Sequence, residues 1–108
     1  MSEQVLGFLD NQPESNLLRV LKATDALREK GPMLGRPFVD SVKGSAIHNL
    51  KELRVSSSRD GAIRILFCFS PKRIALLLVA GDKSNNWSGW YERAIEQAEE
   101  EYDRFLEN

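Results

Sequence analysis

The chain has 108 residues, 42% of them hydrophobic, enough for one core and predicting a single domain over residues 1–108 that needs neither disulfides nor a metal. Its one cysteine, Cys68, excludes an internal bridge, and the longest apolar stretch, Ile74–Gly81, is far short of the roughly 20 residues of a membrane helix. The net charge of −1 hides an uneven distribution: residues 36–83 carry nine basic and four acidic side chains, residues 84–108 two basic and seven acidic. Such blocks predict either a basic working surface for an anionic partner beside an acidic helix, or solvated faces that average out.

The opening segment, MSEQVLGFLDNQPES, lacks the basic start and long apolar stretch of a secretory signal, and a cytoplasmic protein without membrane association is expected. Val5, Leu6, Phe8 and Leu9 suggest a turn or two of helix. From Glu14 to Lys30 the spacing predicts a helix, with Leu17, Leu18, Leu21 and Leu27, Val20 and Thr24 on one side, ended by Gly31 and Pro32. Phe38–Val42 is read as an edge strand. The period then changes to two. Leu53 and Val55 alternate with Glu52 and Arg54, SSSRDG offers a turn, and Ile63, Ile65, Phe67 and Phe69 follow with Arg64 among them. A second turn, Ser70–Arg73, leads to Ile74, Leu76 and Leu78. After Ser88, the series Tyr91, Ala94, Ile95, Ala98, Tyr102, Phe105 and Leu106 predicts an amphipathic C-terminal helix with its acids mostly on the other side.

The arginine in the middle of an apolar strand raises the functional question. Requiring the alternate apolar residues to share a face fixes the hairpin register, because a slip of one residue would expose them all. Ser56 then pairs with Ala62, Val55 with Ile63, and Arg54 stands across from Arg64. Carried through the next turn, the same rule puts Val79 opposite Arg64 and brings Lys83 out near that end. Two opposed arginines cost several tenths of a kcal/mol. An anion received by Arg54, Arg64 and Lys83 would offset that cost, as would local carboxylates such as Glu52, Asp60 or Asp82.

Other chemistry lacks support: there is no glycine-rich phosphate loop, no pair of cysteines and no His-x-x-x-His. His48, the single histidine, is read either as a solvated loop residue or as a proton carrier at the site. Trp87, Trp90 and Tyr91 at the start of the last helix either plug the sheet or stack on nucleic-acid bases.

The ordered set GPMLGRPFVDSVKGS, NLKELRV, GAIRILFCF, RIALLLVAGDKS, a tryptophan-containing helix start and a helix with AEEEYDRFL resembles the RelE/ParE superfamily of bacterial toxins, nearest its phage-derived HigB-like branch. The resemblance covers Leu17 to Leu106. It implies a RelE-like α+β fold: two N-terminal helices packed on a twisted antiparallel sheet of three to four strands, with a C-terminal amphipathic helix. It further implies the toxin of a type II toxin-antitoxin system, a ribosome-dependent mRNA endonuclease neutralised by a helix-turn-helix antitoxin, with ribosome and mRNA as its other partners and no cofactor. By the same resemblance Arg54, Arg64 and Lys83 are the catalytic candidates. Cleavage by a ribose 2′-hydroxyl needs a proton acceptor, charge stabilisation on phosphorus and a proton for the leaving oxygen, for which Lys83 or His48 are candidates, while Tyr91 would position a base. Lys43, Lys51, Arg59, Lys72, Arg73 and Trp90 are the candidates for holding RNA. Ser84, Asn85 and Asn86 stand where many relatives have a second lysine and a threonine- or proline-containing segment, so the general acid stays unassigned. A gyrase-directed toxin of the ParE kind and a non-catalytic RNA- or ribosome-binding regulator are the competing readings.

Overall fold

A computed structural model describes residues 1–55, 63–82 and 87–107, with the side chains of residues 87 and 88 left aside. Helices α1 (Glu3–Asp10) and α2 (Glu14–Lys30) come first, and a 3-10 turn, Gly31–Met33, follows. Strands β1 (Val39–Ser41), β2 (Lys51–Val55), β3 (Ile63–Phe69) and β4 (Ala75–Asp82) precede α3 (Trp87–Glu107). The strands form one antiparallel meander in the order β1-β2-β3-β4. This is the α+β architecture expected from the sequence, with Val39–Ser41 as the edge strand.

Alternation along β2 and β3 feeds two separate cores. Leu53, Val55, Ile63, Ile65 and Phe67 pack with Val5 of α1 and with Val20, Ala23 and Leu27 of α2. On the opposite face Leu50, Leu66, Cys68, Leu78 and Val79 pack with Ala94 and Ala98 of α3. The two alanines let the helix lie close to the sheet, and α3 makes both faces of β3 interior. Cys68 is therefore a small core side chain, and burial pushes its thiol pKa up.

Helix α2 ends where the sequence predicts: Gly31 takes φ 55°, its N–H caps Leu27 O, and Pro32 follows. The buried stripe of α2 is narrower than expected, however. Val20, Ala23 and Leu27 face the sheet, whereas Leu17, Leu18 and Leu21 are exposed. Apolar residues span a wider arc of this helix than one sheet face can cover. In α3 the last turn likewise leaves Phe105 and Leu106 exposed.

The second register differs from the expectation. Gly81, not Val79, stands opposite Arg64, and Val79 faces Leu66. A bulge causes the shift: Phe67 pairs with Leu77 and Leu66 with Val79, so Leu78 is the extra residue and both Leu78 and Val79 turn toward α3. Gly81 keeps the face that Val79 would have had. The proposed Ser56–Ala62 pair lies outside the described residues, but Val55 pairs with Ile63 as expected.

The two edges of the sheet differ. Along β4, Ser2 N donates to Leu77 O at 2.9 Å and Ser2 Oγ to Leu78 O at 2.6 Å. The Gln4 amide exchanges two hydrogen bonds with Ala80, at 2.8 and 2.7 Å. These contacts close an edge that would otherwise invite another strand. The loop joining β1 to β2 is pinned from α3, where Glu99 Oε2 accepts from Ser45 Oγ and Ala46 N, both at 2.8 Å.

Candidate active site

Arg54 in β2 and Arg64 in β3 are direct cross-strand partners on the face turned toward α3. Their repulsion is met by Glu52, two residues before Arg54 and therefore on the same face. Glu52 is only 4% exposed. Its Oε1 accepts from Arg54 Nε at 3.1 Å and lies 3.9 Å from Arg64 Nε, an ion-pair distance. Its Oε2 accepts from the Tyr91 hydroxyl at 2.5 Å. Burying a carboxylate is expensive unless cations and donors surround it, and here both guanidiniums and a phenol do so.

The network continues outward across the sheet. Asp40 of β1 is the cross-strand partner of Glu52. Its Oδ2 accepts from Arg54 at 2.9 Å and from Arg36 at 3.0 Å, while its Oδ1 accepts from Ser41 N at 2.9 Å. The Ser41 N–H, then Arg36, holds the Asp40 carboxyl below the ordinary carboxylate range. Charges thus alternate from Arg36 through Asp40, Arg54 and Glu52 to Arg64. Arg64 is 9% exposed and also donates to Ile63 O at 3.0 Å.

These contacts set the protonation states that matter. The Glu52 hydrogen bond raises the Arg54 pKa further above its ordinary value, so Arg54 stays cationic. Burial, followed by the bond to Glu52, pushes Tyr91 up to about 12, with Arg64 pulling the other way. At neutral pH Tyr91 is therefore a hydrogen-bond donor and not a base. Beside the network opens a cavity of about 270 Å³, with Asp40, Ser41, Lys43, Glu52, Arg54 and Tyr91 in its wall.

Trp90 acts as a plug. Its indole covers Gly81, the cross-strand partner of Arg64, so closely that a Cβ on Gly81 would lie 2.4 Å from Trp90 Nε1. It also packs into the α3-side core and meets Tyr91 edge to face, with centroids 5.0 Å apart. The glycine admits the tryptophan, and the tryptophan fixes the turn of α3 that aims Tyr91 at Glu52.

The remaining sequence candidates scatter. Lys43 is exposed at the cavity rim. His48 is exposed in the turn before β2, beyond the end of the strand that carries Arg54. Lys51 alternates with Glu52 and so belongs to the α1/α2 face. Lys72 and Arg73 are exposed in the β3–β4 turn, at the other end of β3 from Arg64. Lys83 and Arg59 lie outside the described residues, as does Asp60. Among the described residues no group of His, Cys, Asp and Glu is arranged for a metal, and no helix is long and apolar enough to cross a membrane.

Sequence reading passed over Asp40 and Arg36 and weighed Glu52 only as a salt-bridge partner. Strand alternation already put Glu52 beside Arg54. Asp40 required the register of β1, which three residues do not announce.

Residues 7–103 match the family described as Phage derived protein Gp49-like (DUF891). The chain is 39% identical over 104 residues to a Mycobacterium tuberculosis protein named "Putative toxin HigB2", covering 96% of this chain and 52% of that one. It is 47% identical over 87 residues to "Putative toxin HigB3" of the same organism, covering 81% of this chain and 74% of that one. The chain thus spans about half the length of one of these curated relatives and about three quarters of the other. No solved structure matches it. The match runs from α1 into the last turns of α3 and takes in every residue of the charged network, in agreement with the HigB-like resemblance of the sequence: the chain belongs to the Gp49-like family of phage-derived proteins.

Proposed function

We propose that this protein is the toxin of a type II toxin-antitoxin pair and an endoribonuclease that cuts mRNA on the ribosome. The observation that carries the reading is the opposed pair Arg54 and Arg64, joined by a buried carboxylate and a tyrosine beside an open cavity. The similarity to two proteins named as toxins supports it.

In the proposed reaction a ribose 2′-oxygen forms a bond to the neighbouring phosphorus and the bond from phosphorus to the 5′-oxygen breaks. The products are a 2′,3′-cyclic phosphate and a 5′-hydroxyl. Arg54 and Arg64 face the negative charge that builds on the phosphoryl oxygens, and their planar donors suit it. Glu52, in the cavity wall beside Arg54, takes the 2′-hydroxyl proton in this reading once the phosphate draws Arg54 away from it. Tyr91 orients that carboxylate. Lys83 stays the candidate for returning a proton to the leaving oxygen. The ribosome supplies the ordered message, so the isolated protein needs little binding surface of its own. A helix-turn-helix antitoxin is the expected neutralising partner.

The test is a defined message translated by purified ribosomes with and without the protein. Breaks within the reading frame ending in 2′,3′-cyclic phosphate are expected. An intact message in this assay, together with growth arrest and DNA breaks when the protein is induced in bacteria, would overturn the reading in favour of a gyrase-directed toxin.

A further inference from the structure

Arg36 belongs to no candidate set so far, yet it shares an oxygen with Arg54. The two guanidiniums each lie within 3.0 Å of Asp40 Oδ2, so their bonded nitrogens are at most twice that distance apart. Two cations held side by side in this way can meet the phosphates of one strand together. The two arginines differ in their cover. The Arg36 side chain is 77% exposed, whereas Arg54 is half-covered and also tied to Glu52. An exposed ion pair is worth about 1 kcal/mol or less, so Arg36 can exchange Asp40 for another anion at little cost.

Cations along the sheet edges mark where an RNA strand can lie. The β4 edge is closed by Ser2 and Gln4. At the β1 edge the cavity wall includes Asp40, Ser41 and the exposed Lys43. Arg36 precedes β1 and Lys43 follows it, with the Asp40–Arg54 contact between them. The cations of the β3–β4 turn, Lys72 and Arg73, lie off this line.

We infer that single-stranded RNA runs along the β1 edge, with Arg36 leaving Asp40 to hold the phosphate next to the scissile one while Asp40 keeps its contact with Arg54. The inference rests on the nuclease reading and adds the direction of the substrate across the sheet.

The test uses short synthetic messages on programmed ribosomes, each with one uncharged methylphosphonate linkage immediately 5′ or 3′ of the cut. Cleavage is followed in single turnover against protein concentration. Arg36→Ala is expected to raise the half-saturating concentration about tenfold while leaving the maximal rate nearly unchanged, as loss of one charge-assisted contact predicts. Arg36→Lys restores part of that loss, and the charge-matched control Lys22→Ala on α2 leaves cleavage unchanged. One of the two methylphosphonates should weaken the wild type to the level of Arg36→Ala and have no further effect on that variant. If Arg36→Ala cleaves like the wild type, or if both neutral linkages weaken variant and wild type equally, the RNA track is overturned while the nuclease reading stands. If the wild type cuts no message at all, both fall.

Discussion

On the α1/α2 side, β2 and β3 present Leu53, Val55, Ile63, Ile65 and Phe67, none more than 1% exposed. On the α3 side the same strands present Cys68 toward one end, the cross-strand pair Glu52 and Leu66 in the middle, and Arg54 opposite Arg64 toward the other. Both faces are covered, but by different chemistry. The first gains from apolar area removed from water, at roughly 25 cal/mol per Å². The charged half of the second gains little net stability, because the desolvation of Glu52 and Arg64 roughly cancels their attraction. The comparison teaches a division of labour within single strands: alternate residues of β2 and β3 hold the fold on one side and a charged constellation on the other. Helix α3 serves both halves of its face, with Ala94 and Ala98 over the apolar half and Tyr91 against Glu52.

The largest effect should come from damage to the apolar face. Phe67→Ala removes a fully buried ring and is expected to cost about 3–5 kcal/mol, read as a fall in melting temperature or denaturant midpoint. Cleavage per folded molecule should survive, because Phe67 points away from the arginines. A variant that stayed folded but lost all cleavage would abolish the division between the faces.

The arginines test the reverse. Arg54→Ala and Arg64→Ala should each lower cleavage by about 100- to 1,000-fold, the scale for losing one preorganised charge-stabilising group. Stability should fall as well, because either substitution takes away one of the cations around the buried Glu52, an effect partly offset by relief of the like-charge pair, but the fall should be too small to account for the lost cleavage. A loss of melting temperature large enough to explain the lost cleavage would move these arginines from the site into the scaffold.

Legibility in the sequence followed the same division. Opposition of Arg54 to Arg64 could be read because the neighbouring residues alternate cleanly and a slip would expose them. In β4 the run Leu76–Leu77–Leu78–Val79 is apolar throughout, so no residue marks where the strand changes face, and the bulge that brings Gly81 to Arg64 left no trace. The α2 stripe misled for a related reason: Leu17, Leu18 and Leu21 have the right spacing, but only packing decides which arc meets the sheet. Glu52 needed no register beyond its own strand, whereas Asp40 and Arg36 join the site only through β1, whose short span offers no alternation to read.

Tyr91 sharpens the comparison on a smaller scale. Tyr91→Phe keeps the ring against Trp90 and removes the hydroxyl, at an expected cost of about 1 kcal/mol for a half-buried hydrogen bond to a carboxylate. The wild-type hydroxyl has its pKa raised from 10.0 to about 12, so its stabilisation is complete below about pH 10 and is lost as the pH rises through 12. Melting temperatures of wild type and Tyr91→Phe should therefore converge over that window. A constant difference through it would mean that the hydroxyl's bond to Glu52 contributes nothing.

The smallest expected effect concerns Glu99, the α3 carboxylate that pins the loop between β1 and β2. The Ala46 N–H, then the Ser45 hydroxyl, lowers its pKa below the ordinary 4.5. A depressed carboxylate stabilises the fold fully above its unfolded pKa and loses that contribution as the pH falls through the lower folded value. The difference between wild type and Glu99→Ala should accordingly be constant from neutral pH down to about pH 5 and shrink below about 4.5. Asp40 is depressed by Ser41 N–H and Arg36, so it titrates in the same acid range and contributes to the wild-type curve. Glu99→Ala retains the Asp40 contribution, and subtracting the two curves isolates the loop. Protection of the Ala46 amide from hydrogen exchange gives the local reading, because that N–H donates directly to Glu99. It should be lost in Glu99→Ala at every pH and lost in the wild type only in acid. If wild-type protection at Ala46 stays constant through the acid range, the loop is held by Ile47 and Leu50 in the α3-side core and not by the carboxylate.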